Sequence, residues 1–589
     1  MKYISLRTFD MNMKVCSLHC LFPILLLMCI SFPFPGDAGF GMLGGHNLLV
    51  WGCIVLWASI LWCYRGKPVP YRKLTIGVLT ASLLLSLPFL WTAQAAWRLN
   101  AFPHLAGLWA GIGLFLLLLR TRFGFRGRVL LVTTLAVAGV IQALMALTQL
   151  LFPLSPFVRF VLHYDVLAAQ GRVLGSLGQV NLLGSFLAVS AGAALWCMLA
   201  IPVRQRGIRL CGWLVLVLIL TALVVTRSRT GWLGGLISCA GVAWLARGQR
   251  PWRAMAGCAL ASLVLAVSVI HLQPQVRVSP PSPSVAAPAE DTFSLDRMRH
   301  ESRDRRLQML RVSAALIKQH PLAGSGLGSF ERRWSDGLAA LGEVSATPER
   351  VIYPHNELLY VWIEGGAAAL VGLLLAGMLW LLPLLKSQFN RKRCTSRNAR
   401  ERRYIGLWPL TLPLALHAMT EFPFYLSALH FVLFLLLWRL ALPDGRAREA
   451  GFAPSAWLAG PACLLGLLIL AACGVNLYQL RDFEQSGFSS PLTLVLPEVS
   501  TVMQADRLLF DRCVSLLIAY NRPQDARLLH AFIHEAHHYL SAHDDPNLMD
   551  SFIRVENALG RPELAEDMLR RARVSFPDDP RFNPKGARP

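Results

Sequence analysis

Apolar residues in this chain fall into runs of roughly 16–25, most closed by a short basic cluster, which is the length a membrane-crossing helix needs. By hydropathy these runs predict about thirteen spans. They lie near residues 18–33, 45–63, 74–93, 101–119, 129–151, 182–203, 210–226, 230–246, 254–271, 357–385, 405–418, 424–438 and 456–477. The first run follows Lys2, Arg7 and Lys14 and reads as a retained anchor. A cleaved signal peptide is the other reading, but no small-x-small site follows cleanly. The expected fold is an all-α polytopic membrane protein. N-terminal spans occupy 1–150, a second set 151–271, a large loop 272–356, C-terminal spans 357–478, and a helical tail 479–589.

Basic residues orient these spans. Arg65, Lys67, Arg72 and Lys73 follow the second run, Arg120, Arg122, Arg126 and Arg128 the fourth, and Arg204, Arg206 and Arg209 the sixth. Arg247, Arg250 and Arg253 follow the eighth, the stretch 386–403 the tenth, and Arg439, Arg446 and Arg448 the twelfth. The positive-inside rule then puts the N-terminus in the cytoplasm. Residues 152–181, 272–356 and the tail fall on the outer side. The cytoplasmic connections are too short for a catalytic domain, so any chemistry belongs to the outer face.

Composition narrows the class. The chain has 589 residues, 54% hydrophobic and 15% charged, with a net charge of +23. Length alone suggests three or four soluble domains, but the runs set that aside. A mean hydropathy of +0.47 excludes a disordered chain. Nearly all the excess charge sits in the cytoplasmic clusters and the rest of the chain is close to neutral, so no single basic patch suits nucleic acid. Most of the 13 cysteines lie in apolar runs, and no C-x-x-C pair suggests a disulfide framework or zinc site.

Residues 279–290 form a Pro/Ser-rich linker, expected to be extended. An Arg-rich helix is predicted over Leu295–His320, ending at Pro321 and Gly324. In the tail, Arg522-Pro523 recurs in kind as Arg561-Pro562, and Asp544-Asp545-Pro546 as Asp578-Asp579-Pro580. Such spacing resembles tetratricopeptide-like units, although two copies fall short of the three an array needs; a helical cap is the plainer alternative. His530, His534, His537, His538 and His543 have chelating spacing, but without cysteines or a matching acid a solvated helix face is the simpler reading.

Four polar constellations on the outer side call for a role, since ionisable groups near the membrane are costly. Arg172, with Gln179 and Asn181 entering the sixth span, suits an anion at a helix start; ordinary capping by Asn181 is the alternative. Arg227 and Arg229, in a tight outer turn against the charge trend, suit bidentate phosphate contacts or snorkelling to lipid. The Arg-rich helix holds Arg305, Arg306 and Arg311, for which a solvated basic face is the alternative, and ends in Gly324, Gly326 and Gly328. No strand precedes those glycines, so a dinucleotide loop is excluded. Last comes Tyr353-Pro354-His355-Asn356-Glu357, where His355 suits a general base or a plain interfacial polar anchor, and Asn356 a helix cap. Glu364 follows on the same helix, and Glu421 adds an acid in Thr420–Tyr425.

In this order the pieces resemble the O-antigen ligase and polymerase superfamily. Its markers match Gly-Gln-x-Asn at 178–181, Ser-Arg-Thr at 228–230, His-Pro-Leu-x-Gly-x-Gly at 320–326 and His-Asn-Glu at 355–357. Arg172–Ala188, Glu421–Tyr425 and the helical tail look most like bacterial protein O-oligosaccharyltransferases of the pilin-glycosylation type. The resemblance covers roughly residues 130–580. One departure is that the family's Arg-x-x-x-Trp places Leu310 at the tryptophan when Arg306 takes the arginine.

The resemblance implies a bacterial inner-membrane enzyme moving an oligosaccharide en bloc from undecaprenyl diphosphate to Ser or Thr of a periplasmic protein such as pilin, without a metal or other cofactor. It implies catalytic roles for His355, Arg229 and Arg306. Donor binding falls to Arg172, Gln179, Asn181, Arg227 and Arg311, with Asn356, Glu357 and Glu421 in support. The rival within the family is ligation to lipid A core or O-antigen polymerisation. Outside it, a transporter or flippase would show charges buried mid-span and inverted repeats, which are not evident; a non-catalytic scaffold would leave four co-facial motifs to coincidence.

Overall fold

A computed structural model describes residues 25, 29, 43–63, 72–166, 169–201, 205–245, 252–274, 295–389, 404–444, 458–521 and 524–583. Most of the first predicted run, the 279–290 linker, the 390–403 part of the basic stretch and Arg522-Pro523 lie outside the described residues. The protein is an all-α polytopic membrane protein, and no strand occurs among the described residues.

Eight helices there are long and apolar enough to cross a bilayer: Arg72–Trp91, Ala95–Arg120, Gly124–Leu151, Val180–Ala200, Arg206–Val225, Trp252–His271, Glu357–Leu385 and Gly460–Gln485. Two apolar helices are shorter, Gly45–Ser59 and Ala428–Ala441. Two predicted spans take a different form. The run at 405–418 becomes a 3-10 turn, Trp408–Thr411, and a nine-residue helix, Leu412–Thr420; a further turn, Pro423–Leu426, precedes Ala428–Ala441. Pro409, Pro413 and Pro423 stand at the start of these pieces, where a missing N–H costs least. The span at 357–385 is interrupted at Gly366, whose φ of 63° and ψ of −157° are not helical.

The chain divides into two compact units. The first comprises residues 1–78, 110–279 and 377–470. Its centre is a helix named here α1, Val180–Ala200, buried along most of its length. Small residues allow this. A Cβ on Gly231 of α2 (Arg229–Leu245) would stand 2.9 Å from the Gly184 Cα of α1, so only glycine lets the backbones meet there. Such small-residue contacts are how membrane helices gain packing without a hydrophobic drive. Arg128 and Arg439, which the sequence offers only as topology signals, are fully buried. Arg128 holds Asp444 at 2.8 Å and the carbonyls of Leu440 and Leu442 at 2.9 and 2.7 Å, while Arg439 reaches the Leu118 carbonyl at 2.8 Å. They occupy carbonyls that helix ends leave free.

The second unit comprises residues 79–109, 280–376 and 471–589. Its tail is a stack of helices, Ala505–Tyr520, Ala526–Leu540, Pro546–Ala558 and Pro562–Ser575, around Phe532, Met549, Phe552 and Phe576. The repeated Asp-Pro has a local cause. Asp545 accepts from the amides of Asn547 and Leu548 as N-cap, with Pro546 in the first helical position.

Candidate functional site

In the first unit the sixth predicted span begins as expected, but Asn181 does not cap it. Gln179 stands at the N-cap without a side-chain capping bond, and Asn181 turns to other partners. Its Oδ1 accepts from the Ser228 hydroxyl at 2.6 Å, and its Nδ2 donates to Glu421 Oε1. Gln179 Nε2 lies 3.5 Å from Glu421 Oε2. The close approach of Gly184 and Gly231 brings Asn181 and Ser228 into reach. Three sequence motifs are thus joined: Gln179 and Asn181 reach the half-buried Glu421 carboxylate, and Ser228 is linked to it through Asn181.

That carboxylate has a partner the sequence reading missed. His417, one helical turn before Glu421, is fully buried; its Nε2 lies 3.1 Å from Glu421 Oε2 and its Nδ1 2.9 Å from Ser185 Oγ. The signal was the i, i+4 spacing of His417 and Glu421, hidden because His417 falls inside an apolar run.

Gln142 and Gln149, two turns apart in a membrane helix, were missed as well. Gln149 Oε1 accepts from the amides of Leu174 and Gly175 at 3.0 and 2.8 Å, and its Nε2 donates to the Gly175 carbonyl at 2.8 Å. Gln142 Oε1 accepts from the Ser176 amide at 3.0 Å while its Nε2 donates to Ser176 Oγ at 2.7 Å. Together they anchor the loop that carries Arg172 into Gln179.

Arg172, Arg227 and Arg229 are exposed and form no ion pair among the described residues. Arg227 has a φ of 57°, in the left-handed region. Such strain costs on the order of 1–3 kcal/mol and is a feature of functional turns.

The second unit holds the other candidates. The Arg-rich helix spans Leu295–Gln319. Arg306 is exposed with no ion pair among the described residues. Arg311 pairs with Glu343 at 3.2 Å, and Arg305 donates to the Ala346 carbonyl at 3.3 Å. Of these three arginines, Arg306 alone has neither an ion pair nor a side-chain hydrogen bond among the described residues.

The three glycines that follow are explained by backbone contact. Gly326 N donates to the Glu364 carbonyl at 2.9 Å, Ser325 N to the Ile363 carbonyl at 2.8 Å, and Ala367 N to the Leu322 carbonyl at 3.0 Å. A Cβ at Gly324 would lie 2.3 Å from the Glu364 carbonyl, and one at Gly366 2.2 Å from the Leu322 carbonyl. The loop therefore fills the break in the helix and satisfies backbone groups that apolar surroundings would penalise. Glu364 belongs to this brace. Its two oxygens accept from the amides of Gly328 and Phe330, each at 2.9 Å.

His355 sits just before the helix at Glu357, with a φ of 53°. Asn356 caps that helix as expected, its Oδ1 accepting from the Leu359 amide at 3.1 Å. Glu357 lies in the first turn, where a negative charge suits the helix dipole. Tyr353 is buried against Tyr360 at 5.1 Å between ring centres, and burial, reinforced by Glu364, pushes its phenol well up.

A charged cluster steadies this segment. Glu331 is buried; it accepts from Arg350 at 2.7 Å, meets His543 Nδ1 at 2.8 Å and takes the Asp544 amide at 2.9 Å. His543 Nε2 lies 3.1 Å from Asp506. Burial alone would depress the His543 imidazole, but Asp506 and Glu331 override it and carry the pKa up to about 10. Burial opposes ionisation of Glu331 too, yet His543 and Arg350 hold its carboxyl below the usual range. His543 is accordingly an ion-pair partner, and the remaining tail histidines gather with no acid or cysteine into a metal-holding group among the described residues.

Two family models match the chain. One, described as O-antigen ligase, matches residues 214–393, including Arg229, Arg306 and His355. The other, described as virulence factor membrane-bound polymerase, C-terminal, matches residues 405–587, including His417, Glu421 and the tail. No curated protein matches the chain. The two matched segments follow one another without overlap and span more than half of the sequence, and the chain belongs to the O-antigen ligase and polymerase superfamily of membrane glycosyl-transferring enzymes.

Proposed function

We propose that the protein transfers an oligosaccharide en bloc from undecaprenyl diphosphate to a Ser or Thr hydroxyl of a periplasmic protein such as pilin, at the bacterial inner membrane. The observation that carries this reading is the bonded chain that joins the Ser-Arg-Thr motif through Asn181 of Gly-Gln-x-Asn to the Glu421 carboxylate, next in sequence to arginines without ion pairs among the described residues. The acceptor hydroxyl attacks the anomeric carbon and an O–C bond forms. The bond from that carbon to the diphosphate breaks, and its electron pair leaves on the phosphate oxygen. The hydroxyl proton goes to His355.

Negative charge grows on the diphosphate during that step. Arg229 and Arg306 stabilise it, with Arg227 and Arg172 holding the donor. A positioned donor aimed at developing charge is worth about 10²–10³ in rate. Gln179 and Asn181 orient the donor through amide contacts, and Glu421, oriented by His417, fixes the amides. No metal or other cofactor takes part in the proposed step. Cytoplasmic N-terminus and periplasmic tail follow from the positive-inside rule.

The ligase and polymerase families that the chain matches support a second reading, ligation to lipid A core or polymerisation of repeat units. The test is reconstitution in proteoliposomes with lipid-diphosphate oligosaccharide, pilin and lipid A core offered together. Intact-mass analysis showing the whole oligosaccharide on pilin supports the protein acceptor. Glycan on lipid A core, or lengthened chains on the lipid donor, overturns it. Loss of transfer with EDTA and recovery with Mg²⁺ would contradict the metal-free step.

A further inference from the structure

The helix Gly124–Leu151, named here α3, has two unlike faces. One bears Gln142 and Gln149, committed to the Arg172 loop. The other bears Leu130, Val137 and Leu144, seven residues apart and exposed, which is the lipid-facing stripe of a membrane span. At that spacing the stripe arrives at Leu151 and Phe152, where the helix ends. The apolar exposure does not end with it. Phe152, Leu154, Phe157, Phe160 and Val161 are 52–73% exposed, in a stretch whose one charge is Arg159.

Five large apolar side chains in water would be a liability, since contiguous exposed patches of this kind mark interaction surfaces. This stretch is also well built. Ser155 Oγ accepts from the Val158 amide at 3.3 Å, and Phe157–Val161 form a helical turn. Val158, Leu162 and Tyr164 are buried beneath it, and the Tyr164 hydroxyl donates to the Arg172 carbonyl at 2.9 Å. The apolar side chains are therefore held outward by a packed base that is shared with the Arg172 loop.

We propose that residues 152–161 form a wedge seated in the bilayer interface at the end of α3, with the lipid leaflet as its occupant. Continuity with the lipid-facing stripe of α3 argues for lipid over a protein partner. Arg159 in the same stretch reaches the phosphate level by snorkelling. The wedge fixes the height of the loop behind it, so that Arg172 is presented at the lipid headgroups rather than in bulk water. It makes the stretch a membrane-seated element where sequence gave only an outer loop, and it stands whether or not the proposed transfer is correct.

The test places a trifluoromethyl-phenylalanine at Phe160, and separately at Phe157, in the full-length protein in phosphatidylcholine nanodiscs. Fluorine NMR is recorded with a doxyl-labelled lipid whose nitroxide lies near the headgroup, then with a water-soluble gadolinium chelate. The expected result at both positions is loss of the resonance with the doxyl lipid and its survival with the chelate. Loss with the chelate at either position overturns the proposal, because the wedge is then in water. Survival with both agents overturns it too, because protein, such as a second copy of the chain, then covers the face.

Discussion

Two glutamates illustrate how differently the two units use charge. Glu331 is surrounded by Arg350, His543 and the Asp544 amide, and each neighbour is itself engaged. Glu421 is met by the amides of Asn181 and Gln179 and by the buried His417. Arginines on the first pattern, such as Arg128, Arg350 and Arg439, are consumed by carbonyls and carboxylates of the fold. Those beside the second, Arg227 and Arg229, are left exposed, as are Arg172 and Arg306. A guanidinium already bonded by the fold is a structural element. One left without an acid among the described residues is available to an anion from outside, which in the proposed reaction is the diphosphate of the donor. The lesson concerns arginines as a class, since sequence offers both kinds with equal emphasis.

Mutations can break this comparison. The largest effect is expected for His355→Ala, a loss of about 10²–10⁴ in transfer rate, as for removal of a general base. Circular dichroism and the melting temperature should stay at wild-type values, because the cap of the following helix comes from Asn356. Arg229→Ala and Arg306→Ala are each expected to lower transfer by about 10²–10³, measured in proteoliposomes at saturating acceptor.

Next comes Glu331→Gln, which leaves His543 and Arg350 without their shared anion. Breaking a buried pair from one side costs about 3–5 kcal/mol, read as a fall in melting temperature. The pH dependence has a definite sign. With its folded pKa raised to about 10, His543 contributes stability fully below its unfolded value of about 6.5, and this is lost as pH rises through about 10. Glu331, with a depressed folded pKa, contributes above its unfolded value and loses that contribution as acid protonates it. The tail should therefore hold across neutral pH and loosen in alkali; in the His543→Gln variant the alkaline limb of the melting curve should flatten. The smallest effect is expected for Arg311→Ala, whose partly exposed pair with Glu343 is worth about 0.2–1 kcal/mol. A hundredfold loss of transfer there would move Arg311 into the donor-binding set.

Much of the fold was legible, because a membrane helix must be apolar over its whole length and that pattern survives in one dimension. The spans at 129–151, 182–203, 210–226 and 254–271 fall close to observed helices. Where hydropathy failed, it read continuity through breaks. Residues 405–438 are apolar throughout, yet Pro409, Pro413 and Pro423 cut them into short pieces. The Gly366 break could not be read either, since the groups that satisfy it come from Leu322–Gly326, some 40 residues earlier in the chain.

In the candidate site the exposed residues stood out and their supports did not. Asn181, Arg229, His355 and Glu421 are polar residues next to apolar runs and so drew attention. Gln142, Gln149 and His417 lie inside such runs, where one polar residue barely lowers the hydropathy. Arg350 and Glu331 look ordinary in a polar stretch; only the burial of Glu331 and its pairing with Arg350 show that they hold the segment leading to His355.

In the proposed mechanism bonded arginines hold the fold, and those without an ion pair among the described residues hold the donor. Arg229→Ala and Arg350→Ala, measured side by side for transfer rate and melting temperature in the same nanodiscs, test it most directly. Arg229→Ala is expected to lose about a hundredfold or more in transfer at an unchanged melting temperature, whereas Arg350→Ala lowers the melting temperature. Wild-type transfer by Arg229→Ala, or a fall in its melting temperature matching that of Arg350→Ala, would contradict it.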